Sequence, residues 1–183
     1  YPYIEGESVG SDDTTDIVEV AAPLVQSSLT SRTLSSGNLP VQGDRFIGRE
    51  TELTLMKERL QGERPILTLS GPGGMGKTRL SLKFGDENQS EFPGGVWFCD
   101  LTATRSKQDV LRAVAQSLGV PLSEKRPVLQ LAHAIGGRGR ALIIPDNMEQ
   151  VVESGADTVG SWVKHAPEAR FIVTSRIQRG LQA

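Results

Sequence analysis

Apolar residues recur at helical spacing in some stretches of this chain and run together in others. Leu53, Met56 and Leu60 fall at i, i+3 and i+7, the stripe of an amphipathic helix that ends by Gly62. The run Ile66-Leu67-Thr68-Leu69-Ser70 is continuous, as expected of a strand covered on both faces. Leu80, Leu82 and Phe84 mark a second helix. After the turn Phe92-Pro93-Gly94-Gly95, the stretch Gly95-Val96-Trp97-Phe98-Cys99-Asp100 reads as a second strand. Val110, Leu111, Val114, Ala115 and Leu118 form one helical face over 107–118, and Gly119 and Pro121 then break the chain. Val128, Leu129, Leu131, Ala132 and Ile135 form another, ended by Gly136-Gly137. Ala141-Leu142-Ile143-Ile144 is a third strand leading to Asp146. Val159, Trp162 and Val163 mark a helix stopped at Ala166-Pro167, and Arg170-Phe171-Ile172-Val173-Thr174 is a fourth strand running into Ser175-Arg176. Strands alternating with helices, without internal repeat, predict an α/β fold with a mostly parallel sheet.

Residues 1–44 lack this rhythm. Glu5, Glu7, Asp12, Asp13, Asp16 and Glu19 come without basic partners, and a Ser/Thr-rich tract follows at 27–38. Such a composition buries too little apolar surface to offset its ordering entropy, so 1–44 is expected to be a disordered linker and 45–183 the folded domain. The patch Ile17-Val18-Glu19-Val20-Ala21-Ala22 offers a short strand or docking segment as an alternative to solvated linker. Lys and Arg number 20 against 22 Asp and Glu, which gives no basic footprint for nucleic acid in this segment. Cys99 is the single cysteine, so an internal disulfide is excluded and a reducing, cytoplasmic setting fits. No apolar run nears the roughly 20 residues that span a bilayer. The first residues have neither the basic nor the apolar region of a signal peptide. The absent initiator Met and the ending at Gln182-Ala183 suggest a piece of a longer protein.

The candidate chemistry centres on Gly71-Pro72-Gly73-Gly74-Met75-Gly76-Lys77-Thr78, which fits G-x-x-x-x-G-K-[ST] between an expected strand and an expected helix. Glycines let successive N–H groups point into one concavity, an anion nest. The helix that starts near Gly76 adds unsatisfied N–H groups and the positive end of its dipole. Lys77 supplies a charge for the β- and γ-phosphates, and the Thr78 hydroxyl suits Mg²⁺. Ligands in such sheets sit at the carboxyl ends of the strands. The exits found there are Ser70, Asp100, Asp146 and Thr174-Ser175-Arg176. An apolar strand ending in Asp146 supplies a carboxylate to orient Mg²⁺. Pro145 before it removes a backbone N–H from what should be a central strand, so either the ladder has ended there or the site is re-aimed. Asn147 stands where many ATPases carry a second acid, and a neutral amide is a poor base. Glu149 could orient the attacking water or simply start a helix. Arg176 could reach the γ-phosphate or pair with a neighbouring acid on the surface. His133, on the apolar side of a helix, and His165, at a helix end, read as structural. Trp97 and Trp162 read as core aromatics and Cys99 as a buried small hydrophobe.

Taken in order, Asn38-Leu39-Pro40, Phe46-Ile47-Gly48-Arg49-Glu50, the loop ending Gly76-Lys77-Thr78-Arg79-Leu80, Gly95-Val96-Trp97-Phe98-Cys99-Asp100-Leu101, Asp146-Asn147-Met148-Glu149-Gln150 and Val173-Thr174-Ser175-Arg176 resemble the STAND ATPases. The nearest likeness is to the NB-ARC-like module of large bacterial regulators of LuxR or SARP type. Those proteins join an ATPase to TPR repeats and to a transcription-factor, cyclase or protein-kinase domain. The resemblance implies a three-layer αβα P-loop NTPase sandwich, here truncated after the sensor strand. It implies Phe46, Ile47, Gly48 and Arg49 against adenine and ribose, residues 71–79 around the phosphates, Asp146 on Mg²⁺ and Arg176 as sensor. It also implies that the next strand, a winged-helix domain and TPR-like repeats belong to the rest of the protein. The missing strand would flank Ile66 to Ser70, leaving that strand as an apolar edge.

The function these features imply is an ATP/ADP switch with slow, Mg²⁺-dependent hydrolysis, coupled to flanking domains and able to oligomerise on activation. Two alternatives stand beside it. A small-molecule kinase would use the same loop but needs lid arginines, for which Arg138-Gly139-Arg140 is the one basic cluster. A non-hydrolysing nucleotide-binding scaffold draws its support from Asn147.

Overall fold

The computed structural model describes residues 37–43, 46–148 and 152–176, with the backbone alone over 152–157. The expected linker before residue 37, its patch at 17–22 and Glu149 lie outside the described residues. In chain order the elements are α1 (Glu50–Gln61), β1 (Ile66–Ser70), α2 (Lys77–Glu87), a 3-10 turn (Gln89–Glu91), β2 (Val96–Asp100), α3 (Lys107–Ser117), α4 (Pro127–Gly136), β3 (Leu142–Asp146), α5 (Val152–His165) and β4 (Arg170–Ser175). The strands form one sheet in the order β1-β4-β3-β2, every neighbouring pair parallel.

Period-two alternation sends successive strand residues to opposite faces, and each face has its own core. Ile143, Phe171 and Val173 face a cluster with Val114 of α3, Leu131 of α4 and Trp162 of α5. Leu142, Ile144 and Ile172 face the other way, onto Met56 and Leu60 of α1 and Leu80 and Phe84 of α2. The result is the αβα sandwich that the continuous apolar runs imply. Each fully buried Leu or Phe contributes roughly 1.5–3 kcal/mol, so Leu80 and Phe84 anchor α2 firmly behind the glycine loop. α2 sits close to the sheet because residue 85 is glycine: a Cβ there would meet Val96 Cγ1 at 2.9 Å. Cys99 is fully buried, and desolvation pushes its thiol up to about 12.

The two edges of the sheet are handled differently. Along β2, Gly37 forms a parallel bridge to Val96, and Asn38 N–H donates to Val96 O at 3.2 Å. The Asn38 amide then takes both polar groups of Phe98, donating to its O at 2.9 Å and accepting from its N–H at 2.7 Å. β1 has β4 on one side and no strand on the other among the described residues.

Pro145 is accommodated by the direction of its missing donor. Leu142 N–H donates to Gly95 O and Asp146 O accepts from Leu101 N–H, so the even-numbered residues of β3 direct their polar groups at β2. Pro145, one step out of phase, would point its N–H at β4, where the pairing ends at Ile143 and Phe171. Toward β2 the register runs unbroken through Cys99–Pro145 and Asp100–Asp146. The proline therefore marks where β3 and β4 part, and Thr174 bridges that gap by its side chain. Among the described residues, no helix is long and apolar enough to cross a membrane.

Two expectations need correction. His133 is exposed, because α4 buries Leu131, Ala132 and Ile135 and residue 133 lies off that stripe. Its ring meets His165 edge-on, 5.7 Å between centroids. Trp97 is half-buried at the edge strand, with the Arg138 guanidinium 4.7 Å above its ring, whereas Trp162 is fully buried.

Candidate functional site

The loop from Gly71 to Gly76 links β1, at one end of the sheet, to the start of α2. Gly71 N–H donates to Ser175 O at 3.3 Å, which ties the loop to the end of β4. Gly74 and Gly76 both adopt left-handed backbone, φ 79° and 80°, a region that disfavours side chains. This is why the pattern demands glycine at those turns. Among the described residues no side chain caps the start of α2, and its first turn holds no acid. Its N–H groups and positive dipole end therefore face the concavity. Lys77 Nζ donates to Gly71 O at 2.8 Å and Pro72 O at 2.9 Å, which poises the ammonium across the loop.

Asp146 stands at the end of β3, 3% exposed. Three side chains from different elements donate to its carboxylate. The Thr78 hydroxyl lies 2.8 and 2.9 Å from Oδ1 and Oδ2, Thr174 Oγ1 is 2.6 Å from Oδ1, and Asn147 Nδ2 is 2.9 Å from Oδ2. Charge-assisted bonds of this kind offset the cost of burying a carboxylate. The order of strands explains the convergence: β4 lies between β1 and β3, so its Thr174 can bridge from one side of the site to the other. Arg176, exposed just past β4, places its Cζ 3.8 Å from where a Cβ on Gly73 would stand. The strand exit thus delivers a guanidinium to the phosphate loop.

Two adjoining cavities follow. One, of about 260 Å³, is lined by Gly73, Gly74, Gly76, Lys77, Thr78, Arg79, Asn147 and Arg176. The other, of about 140 Å³, is lined by Phe46, Ile47, Arg49, Gly76 and Arg79. Gly76 and Arg79 are common to both, and together the cavities reach the size of small-ligand sites, roughly 300–1,000 Å³. The second one is cationic and apolar, with Phe46 packed on the α1/α2 core and Ile47 79% exposed. Gly48 and Arg49 are successive left-handed residues, and that turn lets Arg49 donate to Met75 O at 2.8 Å. The segment before α1 is thereby fastened to the tip of the glycine loop.

The donor set suits a hard cation. A hydroxyl and a carboxylate already within 2.9 Å of each other would be neighbours in an oxygen shell such as Mg²⁺ requires. Among the described residues no group of three or more His, Cys, Asp or Glu could cage a metal. Such an ion would draw its remaining ligands from phosphate and water.

Of the residues singled out in the sequence, Phe46, Ile47, Gly48, Arg49, the 71–79 segment, Asp146 and Arg176 come together here. Arg138 and Arg140 do not. Arg138 donates to Ala134 O and Leu118 O, and Arg140 to Glu91 O. Both precede β3, a strand length or roughly 15 Å from the carboxyl ends. They pin backbone carbonyls, so neither serves as a lid arginine for the kinase alternative. Thr174 and Thr102 are the residues the sequence reading left without a role. A hydroxyl residue closing an otherwise apolar run, two before Arg176, was the available signal for Thr174.

A parallel sheet with a glycine loop on one strand, an acid ending another and a polar exit between them defines a P-loop NTPase. Residues 59–171 match the model of the family described as the AAA domain, and the chain belongs to that family. An uncharacterized protein of Mycobacterium tuberculosis is 30% identical over 136 residues, covering 74% of this chain and 34% of the relative. Another protein of that organism, named as a candidate HTH-type transcriptional regulator, is 30% identical over 122 residues, covering 67% of this chain and 14% of the relative. The chain thus spans about a third or less of these relatives. Among solved structures, Cdc6p from Pyrobaculum aerophilum superposes with a TM-score of 0.59 at 16% identity, over 76% of this chain and 41% of that one. A STAND protein with a tetratricopeptide repeat sensor from Pyrococcus horikoshii superposes with a TM-score of 0.57 at 18% identity, over 79% of this chain and 23% of that one. At these identities the likeness is one of fold.

Proposed function

We propose that this chain is the nucleotide-binding module of a multidomain regulatory ATPase of the STAND class, similar to NB-ARC modules. ATP with Mg²⁺ would favour one arrangement of the flanking domains and ADP another, with slow hydrolysis as the timer. The observation that carries this reading is the meeting of Lys77, Thr78 and Arg176 around one cavity at the start of α2, with Asp146, at the end of a third strand, accepting from Thr78 beside it. Lys77 and the loop N–H groups would bind the phosphates, Thr78 and Asp146 would hold Mg²⁺, and Arg176 would sense the γ-phosphate. Phe46, Ile47, Gly48, Arg49 and Arg79 would flank the base and ribose. Mg²⁺, when bound, would neutralise charge developing on the phosphates.

The wider context follows the same reading. Residues 45–183 would be the nucleotide-binding domain and 1–44 the linker to an upstream effector domain, with a winged helix and TPR-like repeats elsewhere in the protein. An STAND fold neighbour with a tetratricopeptide sensor and a relative named for an HTH regulator both support it. The setting would be the bacterial cytoplasm, with no direct nucleic-acid contact from this segment.

Asp146→Asn tests the assignment, since it keeps the shape of a buried side chain and removes its charge. ATP titrations with Mg²⁺ and with EDTA should show Mg²⁺ tightening binding to the wild type and having little effect on the variant. An equal Mg²⁺ response in both proteins would reduce Asp146 to a strand terminus.

A further inference from the structure

Asn147 has no task in the reading above, because an amide takes no proton. Its surroundings give it one. It follows Asp146 with left-handed backbone, φ 62°, and its N–H donates to Thr174 Oγ1 at 2.9 Å. The turn carries its side chain to the wall of the phosphate cavity. There Nδ2 donates to Asp146 Oδ2 and to Thr102 Oγ1, each at 2.9 Å. The orientation of the amide follows from its neighbours. An ionised carboxylate only accepts. Thr102 has a single hydroxyl hydrogen and gives it to Asp100 Oδ1 at 2.6 Å, so its oxygen can only accept from Asn147. Asp100 is braced in turn by Thr102 N–H at 2.9 Å. Both amide hydrogens are engaged, and Oδ1, with no donor among the described residues, is the polar atom left to the cavity.

We infer that Asn147 positions the attacking water in ATP hydrolysis, and that Thr102, anchored by Asp100, holds the Asn147 amide with its carbonyl oxygen toward that water. The inference rests on ATP occupying the cavity as proposed above. Uncharged amides orient water in P-loop hydrolases without acting as bases. The water oxygen bonds to the γ-phosphorus while the bond to the bridging oxygen breaks, its electron pair leaving with ADP. One water hydrogen is held by Asn147 Oδ1, and the proton released passes to a phosphate oxygen. Asn147 touches the reacting water; Thr102 and Asp100 act through it and are positioning residues.

Single-turnover hydrolysis by the 183-residue chain, with ATP affinity measured in parallel, tests this on Asn147→Gly, Thr102→Val and Thr102→Ser. Glycine suits the left-handed backbone at 147, so that variant removes the amide without strain. Thr102 is exposed, so its variants should fold. Asn147→Gly and Thr102→Val should slow the chemical step by about 100-fold, the cost of a misplaced reactant, with ATP affinity nearly unchanged. Thr102→Ser should restore most of the rate lost in Thr102→Val. An unchanged rate in Asn147→Gly, a serine variant as slow as the valine one, or losses wholly accounted for by affinity would overturn the inference. A wild type that binds ATP and does not hydrolyse it overturns the role of Asn147 alone. One that binds no ATP overturns the switch reading as well.

Discussion

Replacing Lys77 with alanine should weaken ATP binding by about 10- to 100-fold while leaving the fold in place. Lys77 is half-buried at the first position of α2, and its ammonium lies across the loop on the carbonyls of Gly71 and Pro72. Both of those bonds are to neutral carbonyl acceptors, which an arriving anion can replace. A phosphate oxygen would give Lys77 a charge-assisted bond worth about 1.5–3 kcal/mol, and each 1.4 kcal/mol or so is tenfold in affinity. The loop itself does not depend on the ammonium for its shape. Gly71 N–H is held by Ser175 O, and the Arg49 guanidinium is bonded to Met75 O at the loop tip. A calorimetric titration of the variant with ATP, alongside a melt without nucleotide, separates the two effects. Full affinity in Lys77→Ala would show that phosphates do not sit in this loop.

The largest effect on stability should come from Trp162→Ala. Trp162 is fully buried where α5 meets the sheet, stacked on Phe171 with centroids 6.5 Å apart and planes 20° apart. Truncating a buried aromatic to alanine costs about 3–5 kcal/mol, a large share of the roughly 5–15 kcal/mol that holds a domain folded. The indole N–H modifies this expectation in a useful way. Among the described residues Nε1 is buried without a hydrogen-bond partner, and a buried donor left so costs about 1–3 kcal/mol. Trp162→Phe removes that unsatisfied donor along with some packing, so it should be far milder than the alanine variant. Urea unfolding of the three proteins gives the ordering directly. A phenylalanine variant as unstable as the alanine one would mean that the indole N–H has a partner, such as a buried water.

Much of this architecture could be read before the structure. The apolar runs at 66–70, 141–144 and 170–174 announced strands, and all three are strands of one parallel sheet; 66–70, expected to be covered on both faces, is only half-buried at the edge. The glycine-rich stretch gave the phosphate loop because only glycine adopts the backbone at 74 and 76 without strain. What could not be read was contact across the sheet. Nothing in the local sequence says that β4 lies between β1 and β3, and that placement is what brings Thr174 onto Asp146. Pro145 left two readings open, an ended ladder or a re-aimed site, because a strand pattern does not reveal which neighbour each N–H faces. Asn147 read only as a poor base and as support for a scaffold, because its partner Thr102 lies 45 residues away in the chain. His133 was misplaced for the opposite reason: α4 is apolar almost throughout, so the pattern alone does not show which side faces α5.

The central claim is that these strand ends form one nucleotide site, and its most direct test is calorimetric titration of the 183-residue chain with ATP in the presence of Mg²⁺. Saturable binding of one nucleotide per chain is expected, weakened when Mg²⁺ is withdrawn. Absence of saturable binding by a folded protein would contradict it.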